Sequence, residues 1–368
     1  LWETMVGHSI RDDRKNGFLL PYREMMKYAE ENPEFDMRSI TVFAEDDYFE
    51  EFSYATEQLS YDAVISVLLQ TIKALEIIKE CIPGNWSECI TWTKNRLKEV
   101  WRDRGPFPGL GSMLSAIGFS CGTIMSREIK DKIENLSDYE KILSDAIDSP
   151  NNYFSDITCR NIRSTEKNTF KTLSMERKQL FWLLARMSLT EEQAYIIYNP
   201  EVRKQYGINC SDREIIENPY VVYEQTRRCA FECYIPVKKV DMAVFPPEEI
   251  RESSPLSNPS ALDSENDKRR IRAYIICLLE EHALNGHTVY PIANLIEELN
   301  GLPIEPECHS TGDVINGMAD FLKEELVSIE CKNGEKAYQM NRIFEFDEII
   351  RVSVNKRLKG KRHEIKED

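Results

Sequence analysis

The pattern of apolar and polar positions is mainly helical. From Tyr61, the residues Ala63, Val64, Val67, Leu68, Ile72, Leu75 and Ile78 recur at three-to-four spacing, which predicts a helix of about five turns ended by Pro83-Gly84. A second helix is expected with Trp86, Ile90, Trp92, Leu97, Val100 and Trp101 on it, and its helical spacing points the three tryptophans toward core packing. Further helices are predicted over 128–148, 179–198 and 211–228, with a basic stretch over 160–178 formed by Arg160, Arg163, Lys167, Lys171, Arg177 and Lys178. Residues 245–267 hold Pro246, Pro247, Pro255 and Pro259 among serines, with no aromatic after Phe245, and read as a linker.

Beyond that stretch the pattern changes. Ile271, Ile275, Leu278 and Leu279 mark one face of a helix that ends near Asn285-Gly286; helices over about 291–300 and 311–324 follow. Leu326-Val327-Ser328-Ile329 and Ala337-Tyr338-Gln339-Met340 flank Asn333-Gly334, a strong hairpin signal. A last helix over about 343–358 runs into the basic tail Lys356, Arg357, Lys359, Lys361 and Arg362. The expected fold class is mainly α and multi-domain, with helix-hairpin-helix-like units followed by a winged-helix-like unit carrying one β-hairpin. The expected divisions are an acidic segment 1–60, helical domains 61–150 and 151–244, the linker 245–267, and the unit 268–368.

Composition narrows the function. The formal charge of the 368 residues is −16, which excludes a uniformly basic nucleic-acid coat and leaves local patches for any DNA contact. The first 60 residues are the most acidic, with Glu45-Asp46-Asp47 and Glu50-Glu51 interleaved with Tyr48, Phe49 and Phe52. That cluster reads as a solvated acidic edge over a small aromatic core or as a docking face for a protein or cation. No apolar run reaches the roughly 18 residues of a membrane span, and no secretory signal precedes Leu1-Trp2-Glu3; a cytoplasmic protein, with the opening lacking Met as in a piece of a longer frame, is expected. The 10 cysteines are expected as reduced thiols, and the nearest approach to a metal pair is Cys229-x-x-x-Cys233, without a second pair at ligand spacing.

Chemistry-bearing motifs are few. The only Gly-Lys pair is Gly360-Lys361, with Asn355 where a phosphate loop needs its first glycine, so no ATP hydrolysis is expected of this chain. His282 and His287 fall on different helix faces, and no nucleophile-base set stands out. The most informative turn is Pro108-Gly109-Leu110-Gly111-Ser112, in a region where Gly105, Gly109, Gly111, Gly118 and Gly122 make up a third of the chain's 15 glycines. Such a turn entering a helix can let a DNA phosphate reach main-chain N–H groups without regard to base sequence, with Arg102 and Arg104 adding charge. It can equally be a close helix-helix turn with no ligand. The expected DNA-binding residues are Arg102, Arg104, Gly109, Leu110, Gly111 and Ser112.

Two longer blocks carry a resemblance. Leu183-Leu184-Ala185-Arg186-Met187-Ser188-Leu189-Thr190 leads through Gln193 to Tyr198 and then to Ser211-Asp212-Arg213-Glu214-Ile215-Ile216-Glu217-Asn218-Pro219-Tyr220. Arg270-Ile271-Arg272-Ala273-Tyr274-Ile275 continues to Asn285-Gly286-His287-Thr288-Val289-Tyr290-Pro291. In content and order these blocks resemble the accessory region of RecD-like superfamily-one DNA helicases, over roughly residues 180–358. The hairpin at Met187–Thr190 departs from that pattern by lacking glycine. The resemblance implies an accessory region that guides single-stranded or forked DNA, with ATP and Mg used by a motor in the same protein and no cofactor in this chain. The alternative is a helical protein-interaction module without a nucleic-acid role, favoured by the net charge and by Asp313, Asp320, Glu324 and Glu325 on the third helix of the last unit.

Overall fold

The computed structural model describes residues 20–43, 48, 59–332 and 334–360. The acidic residues 45–47 and 50–51 with Phe49 and Phe52, the hairpin's Asn333, and Lys361 and Arg362 of the tail lie outside the described residues. The chain is mainly helical with a small three-stranded antiparallel sheet, and it divides into two compact units: 1–262 with 303–306, and 263–302 with 307–368.

Among the described residues the first unit holds α1 (Tyr22–Glu31) and then the long pair α2 (Tyr61–Cys81) and α3 (Trp86–Arg104). Ser60 caps α2 by accepting the Ala63 N–H, and the Pro83-Gly84 break turns the chain back. One seam between α2 and α3 buries Ile65, Leu68, Ile72, Leu97 and Trp101; the other face of α2 takes Met25 of α1 with Ile40 and Val42. The three tryptophans all pack: Trp101 is buried, Trp92 rests on its cluster, and Trp86 lies against the α1 side while its ring N–H donates to Ile82 O at 3.0 Å.

Next come α4 (Leu110–Ala116), α5 (Gly122–Lys130) and α6 (Tyr139–Asp148). The single helix expected over 128–148 is therefore two, because Asn135, Ser137 and Asp138 favour the turn that separates them. The basic stretch becomes α7 (Asp156–Asn161), α8 (Ser164–Lys171) and the start of α9 (Met175–Ala185), with Ser174 capping α9 through the Arg177 N–H. Then follow α10 (Glu191–Tyr198), α11 (Pro200–Gln205), α12 (Asp212–Glu217), α13 (Val221–Thr226) and α14 (Val237–Val244). Pro219 splits the helix expected over 211–228, since it has no N–H to donate and crowds the preceding turn.

Residues 245–267 are more ordered than a linker. They hold α15 (Glu248–Ser253); Phe245, Ile250, Ser254 and Ser260 are buried, and Ser260 Oγ donates to Ile216 O at 2.6 Å. The prolines stop long helices without preventing packing, and the division between units falls after Leu262.

The second unit begins with α16 (Lys268–Leu284), capped by Asp267, which accepts the Arg269 N–H. After β1 (Tyr290–Pro291) come α17 (Ile292–Asn300), α18 (Gly312–Gly317) and α19 (Ala319–Leu322), a break at Met318 dividing the helix expected over 311–324. The hairpin of β2 (Leu326–Glu330) and β3 (Lys336–Met340) pairs Leu326 with Met340 and Glu330 with Lys336, and the order in the sheet is β1-β3-β2. The sequence pattern does not announce β1, two residues long and one of them proline, which is tolerated on an edge strand. Its Tyr290 and Pro291 align with Tyr338 and Ala337. Leu295, Leu299, Ile315, Leu322, Leu326 and Met340 fill the core, and α20 (Asn341–Lys359) leaves the sheet.

Candidate nucleic-acid interface

The Pro108–Ser112 turn is built from the end of α3. Gly105, at φ 66°, ends that helix in a conformation that favours glycine, and its N–H donates to Trp101 O at 3.1 Å. The chain then buries the Phe107 ring edge-on to Tyr139 and Trp182. At Gly109 the main-chain N–H donates to Ala185 O at 2.9 Å, and a Cβ there would sit 2.0 Å from Met187 O. At Gly111 a Cβ would sit 2.9 Å from the Thr123 Cα, and at Gly122 it would sit 2.5 Å from Gly111 O, so α4 and α5 approach backbone to backbone. Leu110 is fully buried, and Ser112 Oγ donates to Leu189 O at 2.7 Å.

The close approach at these glycines is made by the protein itself. The Gly109 N–H expected to meet a phosphate meets a carbonyl of the α9–α10 turn instead. Gly109, Leu110, Gly111 and Ser112 thus belong to a turn-on-turn joint, which corrects their assignment as DNA contacts.

Arg104 is corrected in the same way. Its side chain and that of Asp62 are each 1% exposed, and Nε donates to Asp62 Oδ1 at 2.6 Å. Its other nitrogens donate to Arg186 O at 3.3 Å and Gly105 O at 3.4 Å. Paired and enclosed, this cation adds nothing to a surface for DNA. Arg102 is 67% exposed and lies 3.6 Å from the Glu249 carboxylate, so of the six expected residues it alone presents a charge to solvent, and that charge has a counterion at hand.

At the α9–α10 turn the Gln193 N–H at the start of α10 is occupied within the chain. Thr190 and Gln193 form a reciprocal cap in which each side chain accepts the other's N–H at 3.1 Å. At the first turn of α10, Glu191 accepts from Ser115 Oγ at 3.1 Å and Thr123 Oγ1 at 3.2 Å. Arg186, just before the turn, donates to Ser254 O at 2.8 Å and Pro255 O at 3.1 Å and lies over the Phe107 ring. Burial is the main cause that brings its pKa down to about 10, with Arg104 adding to the shift and Glu140 opposing it. Asp62, Glu191 and Arg186 are the polar residues of this region whose roles the sequence does not disclose, because their partners lie far along the chain.

The longer motifs are explained by the fold. Asn218 Oδ1 accepts the Tyr220 N–H at 3.2 Å, and Tyr220 Oη donates to the buried Asp241 Oδ1 at 2.5 Å, so Glu217-Asn218-Pro219-Tyr220 joins α12 to α13 and α14. Arg270 is fully buried and donates to the carbonyls of Glu265 and Glu307. Arg272 lies over the Phe321 ring at 3.8 Å and pairs with Glu324. At the other end of α16, Gly286 adopts φ 89°, and the His287 N–H reaches back to His282 O at 2.9 Å, the Schellman closure of a helix. His287 thus caps through its backbone. The His282 ring stacks on Tyr290 at 3.7 Å, and both donate to or share protons with the Glu298 carboxylate.

Two surfaces remain. Arg160 and Arg163 are exposed at the end of α7 and the entry to α8, with Lys167 half-buried one turn on; Lys171 is paired with Asp148, and Arg177 with Asp212. On α20, Phe346, Ile350, Val354 and Leu358 are exposed at intervals of four. The third-helix region of the second unit keeps its acidic character, with Lys323 held by Asp320 at 2.7 Å. Among the described residues, no helix is long and apolar enough to cross a membrane, and no group of three or more His, Cys, Asp or Glu is arranged to hold a metal ion. In comparisons with known proteins, no family model, no curated protein and no solved structure matches the chain.

Proposed function

We propose that the chain is a DNA-handling accessory region of a RecD-like DNA helicase, contacting single-stranded or forked DNA through its backbone without reading base sequence. One observation carries the reading. The second unit runs helix, strand, three helical segments, hairpin, with sheet order β1-β3-β2, and this order of elements supports a winged-helix-like unit. The second of the two sequence blocks that resemble the family supplies residues at both ends of α16: Arg270 and Arg272 anchor it, and Gly286 with His287 ends it.

In this reading the paired turns at Pro108–Ser112 and Arg186–Thr190 are helix-hairpin-helix-like units whose turns brace one another. DNA contact then falls to cations elsewhere, and the exposed Arg160 and Arg163 with the half-buried Lys167 form a group that could make it. The acidic third helix of the winged unit is unsuited to a DNA groove, so that unit acts as a scaffold beside the strand. ATP and Mg belong to the motor of such a protein; in this chain Gly360-Lys361 lacks the preceding glycine of a phosphate loop.

The test is an anisotropy titration with single-stranded and forked oligonucleotides of varied sequence. Weak binding indifferent to sequence and falling steeply with salt is expected. Joint replacement of Arg160, Arg163 and Lys167 by Ala should reduce the salt slope by up to about three, roughly one for each phosphate no longer neutralised. Absence of DNA binding by the folded chain at low salt defeats this reading. The exposed apolar stripe of α20 supports the second reading, a module that binds another protein, and that reading would then stand.

A further inference from the structure

Most of α20 stands clear of the second unit that carries it. Its first turns are tied down: Asn341 Nδ2 donates to Lys323 O at 3.2 Å and to Glu324 O at 3.0 Å, Arg342 pairs with Glu280 at 2.8 Å, and Gln339 Nε2 donates to Asp347 Oδ2 at 2.7 Å. Beyond Glu348 every residue of the helix is exposed. Phe346, Ile350, Val354 and Leu358 form one ridge along it and are 47–77% exposed. At about 1.5 Å of rise per residue, that ridge is about 18 Å long. A contiguous apolar ridge facing water marks a surface for a partner.

The charges on the same helix point to which partner. Its first half holds Glu345, Asp347 and Glu348, and the one cation there, Arg342, is taken by Glu280. Its second half holds Arg351, Lys356, Arg357 and Lys359 and no acidic residue. Arg351 pairs with Glu348 at 2.6 Å where the two halves meet. The helix is therefore acidic toward one end and basic at the other.

We infer that the apolar ridge of α20 is a self-association surface whose occupant is the α20 of a second copy of this chain, laid antiparallel. One register satisfies both patterns at once. Phe346 stands level with Leu358 of the second copy, and Ile350 with its Val354. In the same register Glu345, Asp347 and Glu348 stand level with Lys359, Arg357 and Lys356 of the second copy. The two-fold axis repeats each of these relations on the other side. The acidic part of each helix then runs beside the basic part of the other, and the helix dipoles oppose. A parallel pair would bring the two basic ends together. The ridge alone could receive many apolar surfaces; the charge pattern makes the helix complementary to itself. The inference stands apart from DNA handling, since none of these residues belongs to the Arg160, Arg163 and Lys167 group.

The test is sedimentation equilibrium of the whole chain over about 1–100 μM, because a contact of one helix pair leaves monomer and dimer in concentration-dependent exchange. The average mass should rise from the 42.9 kDa of one chain toward twice that value. Ile350→Asp with Val354→Asp places carboxylates on the exposed ridge without touching the core, and should hold the mass at 42.9 kDa. Circular dichroism checks that the helix persists in this variant. Charge reversal then tests the orientation. Glu345→Lys with Glu348→Lys should weaken dimerisation about tenfold, as should Lys356→Glu with Lys359→Glu, and the four changes together should restore it. A wild-type chain that stays monomeric over the whole range, a dimer indifferent to the ridge substitutions, or four combined reversals that pair no better than two overturns the inference.

Discussion

The main-chain N–H of Gly109 and the carbonyl of Ala185 are joined by a 2.9 Å hydrogen bond. This one bond reassigns the glycine-rich turn from ligand binding to assembly, since a donor used inside the protein has nothing left for a phosphate. It also explains the glycine. With Met187 O at 2.0 Å from the position of a Cβ, any other residue would force the two turns apart.

Gly109→Ala should therefore destabilise the protein by about 3 kcal/mol, the upper range for overpacking a tight contact. Gly111→Ala, facing the Thr123 Cα at 2.9 Å, should cost less, about 1–2 kcal/mol. Gly312→Ala has open space around it and no unusual φ, and should be neutral within about 0.5 kcal/mol or mildly stabilising. Urea unfolding of the three variants checks the order, and an unchanged midpoint for Gly109→Ala would remove the joint.

The two arginines next to the turn should separate cleanly. Arg104→Ala leaves Asp62 as an unpaired carboxylate in the interior and should cost about 3–5 kcal/mol. Arg102→Ala removes one side of an exposed, long ion pair and should change stability by no more than about 0.5 kcal/mol. Replacing both Arg104 and Asp62 with apolar residues of similar size should recover much of the Arg104→Ala loss. Equal effects of the two single changes would mean that Arg104 is not enclosed as described.

A pH dependence follows from the cap of α16. Burial works to raise the Asp267 pKa, but the Arg269 side-chain and main-chain hydrogen bonds and charge outweigh it and hold the carboxyl below its usual value. The folded state therefore binds this proton less readily than the unfolded state. The stabilisation is present above the ordinary aspartate pKa of about 3.9 and is lost as pH falls through the lower folded value. Asp267→Asn keeps a capping oxygen but loses the charge. The stability difference between wild type and Asp267→Asn should be constant from neutral pH down to mild acid and then shrink. A difference that grows on acidification contradicts the assignment.

Limited proteolysis tests the packing of the proline-rich stretch. Between Pro246 and Asp267, cleavage should fall at 261–265, around the division after Leu262, while 246–254 resists because Ile250 and Ser254 are buried in the first unit. Early cutting inside α15 would return the stretch to an open linker.

Much of the secondary structure is legible along the chain. Three-to-four spacing marks α2, α3 and α16, Asn-Gly marks the β2–β3 turn, and Pro83-Gly84 marks a helix end, because these depend on neighbours within a turn or two. The breaks at residues 131–138, Pro219 and Met318 are harder to see, since apolar spacing continues across them while local turn chemistry decides.

Residue order alone is enough to make the chain mainly α, to put a hairpin in its last unit, and to mark a glycine-rich turn around positions 109 and 111. It leaves open what the glycines make room for and whether Arg104 faces water or Asp62. Both questions are answered by folding: Ala185, Met187 and Asp62 are distant along the chain, and long-range packing brings them to the turn. A glycine's lack of a side chain is written in the sequence, whereas the group that fills the space is chosen by the fold around it.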